Sequence, residues 1–126
     1  MFSHIVVGTN DLEQARVFYD AVLGALGYRG VRESPVAYVY PSDHGFFRIT
    51  KPKDGKAATH ANGGTIGFTC RSIDEVDRWH AAGVAHGGLS IEDPPGIRET
   101  ASGPLYAAYL RDPDGNKLCA LSWTIA

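Results

Sequence analysis

The chain has 126 residues, 44% of them hydrophobic and 21% charged, with a formal net charge of −2. That length suits one compact domain with a buried core, and the ordinary composition excludes a disordered or low-complexity chain. The near-neutral charge offers no global field for nucleic acid or an anionic membrane, and no run approaches the ~18 apolar residues of a membrane span.

In chain order, Met1-Phe2-Ser3-His4 runs directly into the apolar Ile5-Val6-Val7, without a basic n-region or a small-residue cleavage site. A first helix follows. Asn10 and Glu13 stand at capping-box spacing, and Leu12, Ala15, Phe18, Tyr19, Val22 and Leu26 recur with helical period. This predicts a helix over 11–26, ended by Gly24 or Gly27. Residues 28–32, 36–40 and 46–51 read as strands separated by Pro35, Pro41 and Gly45. The polar, Gly-containing stretch 52–64 reads as a linker.

The second half repeats the first. Moving His4-Ile5-Val6-Val7 along by 61 positions lands on Thr65-Ile66-Gly67-Phe68. The same step carries Leu12 to Ile73, Ala15 to Val76 and Phe18 to Trp79 without a gap. Ser72 with Glu75 opens a second predicted helix over 72–82, stopped by Gly83. A strand near 87–91, a Pro- and Gly-rich loop over 93–104, and strands over 105–111 and 117–123 complete the pattern. Asp112-Pro113-Asp114-Gly115-Asn116 forms the turn between the last two. The fold class is therefore α+β: two βαβββ modules in a pseudo-two-fold arrangement, making a partly open, barrel-like sheet around a cavity. Module one is 1–51, the linker 52–64 and module two 65–126, all within a single domain over 1–126. Clefts between paired units commonly hold small molecules.

Three motifs carry a resemblance. His4-Ile5-Val6-Val7-Gly8-Thr9-Asn10-Asp11-Leu12-Glu13 resembles the opening of vicinal oxygen chelate proteins, the glyoxalase, bleomycin-resistance and extradiol dioxygenase superfamily. Phe18-Tyr19 with Val22-Leu23-Gly24 is similar to their first helix, and Arg111-Asp112-Pro113-Asp114-Gly115-Asn116 to their closing hairpin. With the repeat, the likeness spans essentially the whole chain. It implies a small-molecule ligand and, together with the apolar edges and faces so small a sheet leaves, a homodimer. The charge, hydropathy and N-terminus point to a cytoplasmic protein without a nucleic-acid or membrane partner. The two cysteines, Cys70 and Cys119, make no disulfide framework against that compartment.

The resemblance also implies four positions for metal ligands, and here they hold His4, Arg48, Thr65 and Cys119. Only His4 is of the usual type. Thr65 stands for a histidine, Cys119 for a glutamate, and Arg48 would bring a permanent positive charge if its strand register holds. The expectation is a small-molecule binder with a degenerate metal site and no required cofactor, taking an anionic or polar ligand between His4, Arg48, Thr65 and Cys119. Tyr38, Phe47, Tyr106 and Trp123 would supply the walls. The alternative is a metal-dependent lyase, isomerase or dioxygenase of glyoxalase I type, with a divalent ion on His4 acting as Lewis acid. Whether the chain is an enzyme stays open on the residues alone. His44, His60, His80 and His86 read as surface residues, Cys70 as core, and Arg98 and Glu99 lie in the loop where a lid would be.

Overall fold

The computed structural model describes residues 1–125. The first module contains β1 (His4–Gly8), α1 (Leu12–Gly24), β2 (Val31–Ser34), β3 (Ala37–Ser42) and β4 (Gly45–Thr50). The second contains β5 (Ile66–Thr69), α2 (Ile73–Ala85), β6 (Leu89–Ser90), β7 (Gly96–Thr100), β8 (Gly103–Arg111) and β9 (Lys117–Ser122). Residues 51–65 carry neither helix nor strand.

The α+β assignment and the modular repeat hold; local punctuation differs in five places. Asp11, not Asn10, caps α1, accepting the Gln14 N–H at 3.0 Å. Asn10 is committed to the connecting segment, where its side-chain oxygen accepts from the Ala58 N–H at 2.7 Å and its amide donates to the Ala58 carbonyl at 3.2 Å. Ser72 caps α2 as expected, accepting from the Glu75 N–H at 3.1 Å. Gly83 does not stop α2. It lies inside the helix, where a Cβ would come within 2.3 Å of Leu110 Cδ1 and 3.1 Å of Val22 Cγ1. The glycine is there for close packing, not for a cap.

The first strand after α1 starts at Val31, three residues later than expected; just before it, a Cβ at Gly30 would come within 2.6 Å of the Tyr40 ring. Pro41 does not break its strand; it lies in β3 paired with Phe46, past the stretch that β2 covers, where a missing N–H costs little. The expected loop 93–104 contains β7. β6 and β7 pair in succession with the same edge of β8, so they form one edge strand interrupted at 91–95. There Glu92 adopts φ 58° and Pro94-Pro95 cannot donate to the ladder.

The strands form two mixed sheets, ordered β1-β4-β3-β2 and β5-β9-β8-β6 with β7 also on β8. Each opens with a parallel pair, β1 with β4 and β5 with β9. Among the described residues no strand of one sheet pairs with the other. The partly open arrangement is thus made of two unclosed sheets, one from each module.

What joins them is one hydrophobic core. Ile5, Val7, Phe47 and Ile49 of the first sheet and Ile66, Phe68, Leu110, Leu118 and Ala120 of the second meet Phe18, Tyr19, Val22, Val76 and Trp79 of the helices. Tyr19, Phe47, Phe68 and Trp79 form an aromatic chain across the modules, with centroid separations of 4.9, 5.7 and 6.4 Å. A second tie is polar: the buried Tyr19 hydroxyl donates to Asp112 Oδ2, and the Asn10 N–H to Asp114 Oδ1 at 2.9 Å. The 112–116 turn thus holds α1 as well as its own hairpin.

Gly115 in that turn has φ +93°, and a Cβ there would meet His60 Nδ1 at 2.5 Å. His60, read as a solvated linker residue, packs its exposed ring on the turn and approaches the Asp114 carbonyl at 3.2 Å. Gly115→Val combines left-handed backbone with a steric clash, so it is expected to lower stability by about 2–3 kcal/mol. Thermal unfolding checks this. An unchanged melting temperature would show that the turn relaxes freely.

Candidate functional site

Strand alternation assigns every side chain to a helix-packed face or an open face. In the first sheet the register couples His4 with Phe46, Val6 with Arg48 and Val39 with Arg48, all opposite in pleat to the core residues Ile5, Val7, Phe47 and Ile49. In the second, Cys119 pairs with Gly67 and Tyr109, and Leu121 with Ala107, opposite in pleat to Leu118 and Ala120. His4, Arg48 and Cys119 therefore all lie on open faces. Thr65 sits exposed just before β5.

On the first face the His4 ring stacks on Phe46, 4.8 Å between centroids at 5°. Its Nδ1 lies 2.7 Å from Ser3 Oγ. Arg48 lies over the same Phe46 ring, its guanidinium carbon 4.8 Å from the centroid. It donates from Nε and Nη2 to the two Glu33 carboxylate oxygens, both at 2.8 Å. This bidentate pair raises the Arg48 pKa and lowers that of Glu33.

On the second face Leu105, Ala107 and Cys119 form a small apolar cluster with Tyr109 and Leu121. Cys119 is 4% exposed, and burial pushes its thiol pKa up, as it does the neighbouring Tyr109 hydroxyl. Lys117 and Arg98 flank the Tyr109 ring at 5.1 and 6.0 Å. Lys117 pairs with Glu92, and Arg98 donates to the carbonyls of Asp93 and Pro94 at 2.9 and 3.1 Å. The interrupted edge strand is thereby tied to this face.

The four expected wall residues are placed elsewhere. Tyr38 lies on the helix side, its ring between the Arg32 and Arg16 guanidinium groups at 4.5 and 5.9 Å. Phe47 belongs to the core. Tyr106 also faces the helix and donates to Asp77 Oδ1 at 2.7 Å. Trp123 follows β9 and is 53% exposed. Of all the expected residues, only His4 and Phe47 border a common cavity, which lies between the modules and does not include Arg48, Thr65 or Cys119. No hydrogen bond or ion pair joins His4 or Arg48 to Thr65 or Cys119 among the described residues, nor do three or more His, Cys, Asp or Glu gather there as metal donors.

Sequence reading missed Glu33, Phe46, Tyr109 and Lys117, and placed Arg98 in a loop where the structure has β7. For Tyr109 the signal was parity: Leu105, Ala107 and Tyr109 alternate with Tyr106, and the aromatic chosen was on the wrong side of the pleat. Glu33 falls one residue past the expected strand 28–32, whereas β2 runs on to Ser34. His80 is partly buried against Ser90 Oγ at 2.9 Å, and burial lowers its pKa.

Two βαβββ units, each with one open sheet face, around a shared helical core define a vicinal oxygen chelate architecture. The profile of the Glyoxalase/Bleomycin resistance protein/Dioxygenase superfamily matches residues 1–120, and the chain belongs to that family. It is similar to a glyoxalase/bleomycin resistance protein from Albidiferax ferrireducens T118, with 55% identity over 97% of this chain and 98% of that one, at a TM-score of 0.94. A glyoxalase-related enzyme from Fulvimarina pelagi shares the fold at 20% identity and TM-score 0.74, over 97% of this chain and 87% of that one. A lactoylglutathione lyase from Agrobacterium tumefaciens does so at 21% and 0.68, over 98% and 93%. No curated protein matches the chain. No helix among the described residues is long and apolar enough to cross a membrane.

Proposed function

We propose that this protein is a small-molecule-binding member of its family that works without a divalent metal, as a homodimer, holding a polar ligand on the open sheet faces. The observation that carries the reading is Arg48, a permanent cation at a family ligand position, held in place by Glu33. The rest of the donor set supports it. A thiol whose pKa burial has raised resists becoming the thiolate that a metal needs, Thr65 offers a neutral oxygen, and His4 is a lone imidazole.

The ligand preference follows from the same groups. Glu33 neutralises Arg48 but leaves guanidinium N–H groups for a hydrogen-bond acceptor. Arg98 has no carboxylate partner among the described residues, so it favours an acceptor with negative charge. Val6 and Val31, 44% and 56% exposed on the open face of the first sheet, are the apolar surface that self-association would cover.

Isothermal titration with Ni²⁺, Zn²⁺ and Mn²⁺ is expected to show no stoichiometric sub-micromolar binding, and sedimentation a dimer at micromolar concentration. Tight metal binding lost in His4→Ala would overturn the reading and restore the metal-dependent lyase, isomerase or dioxygenase.

A further inference from the structure

We propose that the cavity between the two modules is a second binding site, meeting the open face of the first sheet at His4, for a neutral monocyclic aromatic molecule carrying one hydrogen-bonding group. The cavity holds about 200 Å³. It opens where the start of β1 and the β3–β4 hairpin meet β5, and runs in to Leu23 at the end of α1. Its chemistry is the converse of the open faces. None of the residues that border it is Asp, Glu, Lys or Arg. A cation would lose its hydration there with no carboxylate to compensate, and an anion would meet only the imidazoles of His4 and His44.

Size and wall chemistry set the class. A cavity of about 150 Å³ lined by Leu, Ile and Phe accommodates benzene, so this one has room for a ring and a small substituent. Phe47 and Phe68, 5.7 Å apart and inclined at 68°, present both a ring face and a ring edge, the two geometries that aromatic ligands prefer. Ile66 completes the wall.

The polar group is placed by the rim. Tyr40 also borders the cavity, but its hydroxyl already donates to Asp20 Oδ1 at 2.8 Å, so it offers only its ring. His4 is held through Nδ1 by Ser3 and has Nε2 without a partner among the described residues. A hydroxyl on the ligand ring would meet that nitrogen.

Phenol and toluene are the probes, followed by proton NMR on the whole chain. Phenol is expected to bind saturably with a dissociation constant on the order of 1 mM, as suits so small a ligand. Intermolecular NOEs should run from phenol to Phe47 and Phe68. His4→Ala should weaken phenol about tenfold and leave toluene unchanged, the loss of one hydrogen bond. Ile66→Trp should abolish binding of both, because Ile66 borders the cavity on the same pleat as Phe68 and a larger side chain there fills the space the ring needs.

Absence of saturable binding of both probes, NOEs to Tyr109 or Leu121 instead of Phe47 and Phe68, or undiminished binding in a folded Ile66→Trp would each overturn the proposal. Should Ile66→Trp fail to fold, the NOE pattern of the unmodified protein decides alone. The toluene and NOE readouts do not involve His4, so they are independent of whether a metal binds the open faces.

Discussion

Replacing Asp112 by alanine is expected to lower the unfolding free energy by about 3 kcal/mol or more, the largest single loss at any polar residue of this chain. The carboxylate is 4% exposed and takes four hydrogen bonds. The backbone N–H groups of Asp114 and Asn116 donate to Oδ1 at 3.0 and 2.8 Å, and the Asn116 amide to Oδ2 at 2.8 Å. Tyr19 supplies the fourth donor from α1, and burial holds its hydroxyl pKa well above the usual value, so it donates at every working pH. Removing the carboxylate loosens the turn and leaves the tyrosine hydroxyl unpaired in the core. Urea unfolding reads the effect. Tyr19→Phe should cost less, about 1–2 kcal/mol, and the double variant less than the sum, because both changes break one shared contact. A loss below about 1 kcal/mol for Asp112→Ala would show that the turn does not hold the modules together.

The second large effect is expected at Gly83. Valine there must displace Leu110 and Val22, both fully buried, and adds a β-branched side chain to a helix interior. The loss should be about 3 kcal/mol or more. Leu110→Ala opens the space that the new side chain needs, so combining it with Gly83→Val should recover part of the loss. Additive losses would mean that α2 shifts bodily instead of pressing on Leu110.

Much of this architecture is written in local pattern. The helical recurrence from Leu12 to Val22, its copy from Ile73 to Trp79, and the residue types of the 112–116 turn each depend on neighbours within a few positions. They therefore appear in the structure as α1, α2 and the β8–β9 hairpin. Even the open-face positions of Arg48 and Cys119 follow from strict alternation once the strands are known.

What the sequence could not determine depends on contacts distant in the chain. Asn10 matched the capping pattern, but its partners are Ala58 and Asp114, so Asp11 takes the cap. Gly83 looked like a helix stop, yet only the approach of Leu110 and Val22 explains it. The site was least legible for the same reason. Tyr38 and Tyr106 were chosen by type, but one step of pleat turns each toward a helix. Glu33, fifteen residues from Arg48, becomes its partner only when β2, β3 and β4 align, because a side-chain ion pair needs three-dimensional proximity that no local pattern encodes.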